Sequence, residues 1–265
     1  MEMLRYSVPL IPNSIMWWVV GALNRPLMEN YLGMYAVGIF GVANKFSGVL
    51  SMLFYMFSMS WQISVLEEFG KEGYGHFFNR MFRLVITGLL LLFFVITISS
   101  KFLIHIFTTE EFFEAWIYVP VLTLGVVFSG ISGFVGCNFS ATRESKYLFY
   151  SSIWGAITAI FCNILLIPKF GILGAAISVP ISFAVMAVSR ILYTWRYVKI
   201  KNIMRYVVML AIGILMIIAV LYIKNTGLKS ILIISLFIVF IGINYGLKED
   251  VKNFYKKLNR SKDAA

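Results

Sequence analysis

Residues 84–104 read LVITGLLLLFFVITISSKFLI, and this stretch decides the class of protein. Lys101 is its one charged residue. About 20 apolar residues in a helix cross the roughly 30 Å hydrocarbon core of a bilayer. A lone strand would leave its backbone groups without partners in lipid. The stretch therefore predicts a transmembrane helix.

The composition extends this prediction to the whole chain. The 265 residues are 60% hydrophobic and 13% charged, with a mean hydropathy of +0.85. Soluble proteins have about 45–50% apolar and about 25% charged residues, so an ordinary cytosolic enzyme, a disordered chain and a nucleic-acid-binding module are excluded. Seven further apolar stretches have the length of spans: 9–33, 36–62, 116–137, 148–167, 172–192, 204–223 and 230–246. We predict an all-α polytopic membrane protein with about eight transmembrane helices.

The net charge of +11 mostly reports orientation. With a cytoplasmic N-terminus, seventeen of the 23 Lys and Arg residues fall on the cytoplasmic side, and four fall outside: Lys101, Lys169, Lys224 and Lys229. Basic residues accumulate on the cytoplasmic side of membrane proteins, so both termini are predicted there. Anionic membrane lipids are the expected partner of the basic surface. No nucleic-acid partner is expected. Arg190 lies near a span end and is expected to snorkel to the surface.

Two cations fall inside the first two spans. Arg25 lies ten residues before Tyr35, where the turn between those spans is expected, and Lys45 lies ten residues after it. At 1.5 Å per residue both lie about 13–15 Å below that turn, beside Asn24 and Asn44. Charges in the membrane cost at least about 2.5–3.5 kcal/mol each and mark functional sites by default. A layer of two cations suits an anion such as phosphate or pyrophosphate. Arg25, Lys45, Asn24 and Asn44 are therefore the candidate substrate-binding residues.

A structural interpretation stands beside this one. Glu29 is four residues after Arg25, a spacing that permits an ion pair within one helix, and Glu29 is also the candidate coupling group. Pro26 interrupts the helical hydrogen bonds in this segment, and Lys45 can reach toward the surface. Cys137 and Cys162 lie in apolar runs, which predicts neither a disulfide framework nor a metal site. We expect no catalytic residues, metal or cofactor.

Four runs of the sequence carry a family resemblance: LRYSVPLIPNSIMWWVV (4–20), NRPLMENYLGMYAVGIFGVANKFSGVL (24–50), FSMSWQISVLEEF (57–69) and LLIPKFGILGAAISVPIS (165–182). Their order and spacing resemble the second half of Wzx-type polysaccharide flippases. These belong to the MATE-like multidrug/oligosaccharidyl-lipid/polysaccharide superfamily. The likeness covers approximately residues 4–195, and its last run resembles the family's tight external hairpin.

This resemblance implies a domain plan and a function. Residues 1–200 would form a six-helix C-terminal-type lobe, residues 201–247 two additional helices and residues 248–265 a basic cytoplasmic tail. The protein would sit in the bacterial cytoplasmic membrane. By alternating access it would move polyprenyl-diphosphate-linked oligosaccharides for cell-surface polysaccharide synthesis. Arg25 and Lys45 would meet the diphosphate or acidic sugars.

The sequence departs from the family at two points. Asn24 stands where members often have an acidic residue, which puts acid-mediated coupling there in doubt. The chain also corresponds to the second half of the family's members only. This is expected of a truncated product, of a half that assembles with itself, or of a split protein. Its expected protein partners are an N-terminal half or polysaccharide assembly proteins. Three alternatives stay open: a cation or drug exporter of the same superfamily, a membrane-embedded polysaccharide polymerase and a non-functional fragment.

Overall fold

A computed structural model of the protein describes residues 10–223 and 225–244. Its α-helices, in chain order, are α1 (Leu10–Ala22), α2 (Asn24–Leu32), α3 (Met34–Glu68), α4 (Tyr74–Phe107), α5 (Val119–Ala141), α6 (Ser145–Thr194), α7 (Ile203–Tyr222) and α8 (Thr226–Ile243). A 3₁₀ helix, Glu110–Ile117, joins α4 to α5.

This architecture confirms the predicted all-α polytopic fold. Within the described ranges, five helices, α3 to α7, are long and apolar enough to cross a membrane, and Gly227–Ile243 of α8 is a shorter apolar helix. Several exceed the predicted spans because their polar ends continue as helix: α3 ends at Glu68 and α4 begins at Tyr74.

The longest helix, α6, is a hairpin of two arms. Gly171 has φ 60° and ψ −136°, a backbone conformation that residues with a Cβ rarely adopt, and the chain reverses there. The arms then pack closely, since a Cβ on Gly174 would lie 2.1 Å from the carbonyl oxygen of Leu166. Ser178 also donates a hydrogen bond to Asn163 across the arms, at 2.8 Å. Two of the predicted spans, 148–167 and 172–192, are these arms, and the turn lies in the run that predicted a hairpin.

The first predicted span is not one helix. It is divided into α1 and α2 at Leu23, because Pro26 lacks the N–H that would continue the helical ladder. Pro26 falls in the first turn of α2, where N–H groups have no partner within the helix. The break therefore costs little.

The core lies between α3, α4 and α5. The indole of Trp61 stacks on Phe134 with ring centres 4.2 Å apart, and its Nε1 donates to the Phe134 carbonyl at 3.1 Å. Thr123 donates to the hydroxyl of Ser47 at 3.1 Å, which fixes α3 against α5 at a second point. These contacts fix the position of α3, the helix that carries the candidate residues Asn44 and Lys45.

The two final helices pack beside α4. Phe82 and Tyr206 meet edge to face with ring centres 5.0 Å apart, and Phe94 meets Phe240 at 4.8 Å. The division into a lobe to residue 200 and two additional helices stays a prediction. The predicted tail, 248–265, lies outside the described residues.

Candidate substrate-binding site

Arg25 and Lys45 line one cavity of about 600 Å³, which we call the cationic cavity. Arg25 comes from α2, Lys45 and Asn44 come from α3, and Phe112 of the 3₁₀ helix closes one side. Both cationic side chains are exposed. The structure thus brings together two of the charged residues that the sequence placed at one depth.

Local sequence explains why the cavity is open beside Lys45. Gly38, Gly41 and Val42 share a face of α3 with Lys45, because residues three and four apart lie above one another on a helix. The small residues leave room in front of the ammonium group. The cavity can therefore admit an anionic group between a guanidinium and an ammonium.

A second cavity, of about 430 Å³, opens between α1 and α3 and is floored by α5 and the second arm of α6; we call it the polar groove. On α3 its polar lining is a stripe, Asn44, Ser51, Tyr55 and Ser58, at spacings of seven, four and three residues. Such spacing follows one helix face and was visible in the sequence. Trp17 and Asn24 line the opposite side.

Asn24 is the unusual member of the polar groove. Its side chain is 1% exposed, and neither amide atom has a hydrogen-bond partner among the described residues. Leaving a buried polar group unsatisfied costs about 1–3 kcal/mol. A cavity-lining amide in this condition is suited to bind a polar ligand group.

The four candidate residues thus form two neighbouring sites. Arg25, Lys45 and Asn44 line the cationic cavity, whereas Asn24 lines the polar groove; only Asn44 of the four lines both. The reason is helical geometry, since successive residues point about 100° apart and Asn24 turns inward where Arg25 turns outward. Their predicted depth in the membrane is similar, and depth alone does not show which way each side chain faces.

Glu29 is exposed, and the structure shows no ion pair between it and Arg25. The ion pair seen between described side chains is Lys71–Glu68, at 3.1 Å. Arg25 therefore faces its cavity without a carboxylate partner from α2. No group of three or more His, Cys, Asp or Glu side chains suited to a metal occurs in the described ranges.

Arg190 is the residue that the sequence analysis misplaced. It is 2% exposed, not snorkelling, because polar groups of two segments, α5 and the first arm of α6, surround it. Its Nε donates to Ser151 at 3.0 Å, its Nη2 to Ser152 at 3.2 Å and its Nη1 to the Ser132 carbonyl at 3.0 Å. The adjacent serines Ser151 and Ser152, on the first arm of α6, were the sequence feature that could have indicated a buried partner for Arg190. Its guanidinium also lies 5.3 Å from the ring of Trp17, which lines the polar groove.

Comparisons with known proteins show what this chain is similar to. No protein-family model matches the chain. The capsular polysaccharide biosynthesis protein CapF of Staphylococcus aureus is 25% identical over 201 residues, which cover 71% of this chain and 48% of CapF. The solved lipid II flippase MurJ, in an inward closed conformation, matches with a TM-score of 0.61 and 16% identity. That match covers 87% of this chain and 52% of MurJ.

The chain is a multi-pass membrane protein with the fold of part of a flippase. It spans about half the length of each of these two relatives.

Proposed function

We propose that this chain is one lobe of a Wzx-type flippase that carries polyprenyl-diphosphate-linked oligosaccharides across the bacterial cytoplasmic membrane. The observation that carries the proposal is the cationic cavity, in which Arg25 and Lys45 meet on an apolar lobe. The fold of the lipid II flippase MurJ and the likeness to a capsular polysaccharide biosynthesis protein support it.

The cationic cavity suits a diphosphate. A guanidinium binds two phosphate oxygens in a forked geometry, while an ammonium contributes a compact charge. Arg25 and Lys45 offer one of each to the same cavity, from α2 and α3.

The polar groove suits the sugar. Sugar hydroxyls pair with amides and hydroxyls, and Asn24, Asn44, Ser51 and Ser129 provide these groups along the groove. The indole of Trp17 adds a flat apolar surface of the kind on which a sugar ring packs. Asn44 borders both cavities, so one substrate can place its diphosphate and its first sugar in them together.

A second lobe would complete the pathway. The face of α3 beyond the site carries a row of exposed apolar side chains: Val49, Met52, Leu53, Met56, Met59 and Ile63. An apolar face of this size needs lipid or protein against it. Because the relatives are about twice as long, we propose that an N-terminal-type lobe covers the site, as a separate chain, a second copy or a preceding segment.

The proposal is tested by transport in proteoliposomes. Lipid-linked oligosaccharide is incorporated with the protein, supplied with its partner lobe if one is required, and the fraction crossing the bilayer is followed by an external sugar-modifying reagent. Arg25→Ala and Lys45→Ala are each expected to lower the initial rate at least tenfold, because each removes one phosphate ligand. Lys45→Arg is expected to retain most of the rate.

Lys101→Ala is the matched control, since Lys101 is an exposed cation on α4 that lies beside Trp116 and outside both cavities. It should transport at the wild-type rate. Wild-type rates in Arg25→Ala and Lys45→Ala, with both proteins present in the vesicles, would refute the site. Equal transport of a neutral lipid-linked sugar lacking phosphate would refute the substrate class.

A further inference from the structure

A further cavity, of about 290 Å³, lies between the second arm of α6 and α7 and is also lined by parts of α4 and α5; we call it the apolar cavity. Small and branched aliphatic side chains line it, among them Ile131, Ala184, Ala187 and Leu210. Within the described residues, its surface is entirely apolar. None of its described lining residues lines the cationic cavity or the polar groove, so it is separate from the candidate substrate site.

The apolar cavity is closed on one side and open on the other. Phe82 of α4 and Tyr206 of α7 both line it and meet edge to face, with ring centres 5.0 Å apart, so these two helices close it together. Val188 and Leu192 of α6 and Val207 of α7 also line it, and each of these side chains is about half exposed. Both α6 and α7 are apolar enough to cross a membrane. The opening between them therefore faces the lipid.

The length of the apolar cavity matches the depth of one leaflet. Its lining runs from Ala184 to Trp195 on α6 and from Ile203 to Leu210 on α7. At 1.5 Å per residue these stretches are about 16 Å and about 10 Å long. Half of the roughly 30 Å hydrocarbon core is about 15 Å. Trp195 and Ile203 lie at the two ends of the α6–α7 loop, so the cavity extends from that membrane surface toward the midplane.

The chemistry of the apolar cavity selects its occupant. A bound water needs two to four polar partners, and the described lining offers none. An empty space of this size would leave the lining without the dispersion contacts of a close-packed interior. In a bilayer, the apolar group that reaches from the surface to the midplane is a phospholipid acyl chain.

We propose that the apolar cavity binds one acyl chain of a phospholipid, from the leaflet on the side of the α6–α7 loop. The bound chain fills the space between the second arm of α6 and α7 and joins these two helices. The headgroup stays at the surface beside Trp195, a residue type that accumulates at the membrane–water interface. Binding therefore depends on the room inside the cavity.

The test is retention of dipalmitoyl phosphatidylcholine by the detergent-solubilised protein, measured by native mass spectrometry. Ala184→Phe and Ala187→Leu place larger side chains in the cavity, and each is expected to lower retention at least fivefold. Ala211→Phe is the matched control, because Ala211 is an exposed residue of α7 that does not line the cavity. It should retain the lipid like the wild type. Wild-type retention in both filled variants, or an equal loss in Ala211→Phe, would overturn the site.

A second measurement uses the wild-type protein alone, so it does not depend on the folding of the filled variants. A phosphatidylcholine with a photoreactive diazirine near the end of one acyl chain is mixed into vesicles that contain the protein. Adducts are expected to concentrate at 184–195 and 203–210, the two stretches that line the cavity. An even spread of adducts over all exposed spans would overturn the proposal. Loss of these adducts on adding equimolar polyprenyl phosphate would assign the cavity to a prenyl tail and overturn the acyl-chain assignment.

Discussion

The guanidinium carbon of Arg190 lies 5.3 Å from the centre of the Trp17 ring, so a buried cation on the second arm of α6 contacts α1. Trp17 also packs on Phe183 of the same arm, with ring centres 5.3 Å apart. The wall of the polar groove that α1 provides is therefore held against α6 by aromatic contacts. This relationship links the packing of the hairpin to the shape of the candidate site.

The Arg190–Trp17 contact should make a measurable contribution to stability. A desolvated cation–π contact contributes about 2 kcal/mol. We expect Arg190→Gln, which removes the charge, and Trp17→Leu each to lower the thermal unfolding midpoint in detergent, and the double variant to lose less than the sum of the two. Differential scanning fluorimetry over the four proteins measures this coupling. Strict additivity of the two losses would show that the contact contributes nothing.

Asn24 is expected to lower the stability of the folded protein while supporting transport. Replacing its unpaired buried amide with the similar volume of leucine removes a desolvation cost of about 1–3 kcal/mol. Asn24→Leu is therefore expected to raise the unfolding midpoint and to lower lipid-linked oligosaccharide transport. Both quantities are measured on one preparation.

Asn163 provides the matched comparison for Asn24. It is equally buried, but its amide donates to the Ala159 carbonyl at 2.8 Å and accepts from Ser178 at 2.8 Å. Asn163→Leu should lower the midpoint, because two satisfied hydrogen bonds are lost. Destabilisation of the same size in both variants would mean that the amide of Asn24 has a partner in the folded protein.

The hairpin of α6 should depend on Gly174. A Cβ there would lie 2.1 Å from the Leu166 carbonyl oxygen and 2.5 Å from its carbon, both backbone atoms that cannot move aside cheaply. Gly174→Ala is expected to abolish a monodisperse peak in size-exclusion chromatography. Gly88→Ala, where a Cβ would meet nothing within 4 Å, should elute like the wild type and unfold at the same or a slightly higher temperature. A normal elution profile for Gly174→Ala would contradict the close approach of the arms.

The proposed orientation can be read from the second arm of α6, which separates Lys169 near the turn from Lys199 beyond the other end. In a background with Cys137 and Cys162 replaced by alanine, Lys169→Cys should react with a membrane-impermeant maleimide in intact cells. Lys199→Cys should react only after permeabilisation, because the basic loops are predicted to face the cytoplasm. The reverse pattern would invert the topology.

Much of the fold followed from the sequence because a membrane restricts the choices. The run at 84–104 had to be helical, and the reversal at Gly171 lay in a run whose glycines and proline resemble a hairpin. The depth of Arg25 and Lys45 was also predictable, since a helix rises by a constant amount per residue. Both residues line one cavity, and their depth in the membrane stays a prediction.

The sequence alone thus determined that this is an all-helical, multi-pass membrane protein, and it placed two cations, Arg25 and Lys45, in the first two apolar stretches. The reason is that apolar length and charge position are properties of single segments. Only the tertiary structure decided which way each side chain faces. It separated Asn24 from Arg25 and buried Arg190 between α5 and the first arm of α6, because each of these depends on how different segments pack.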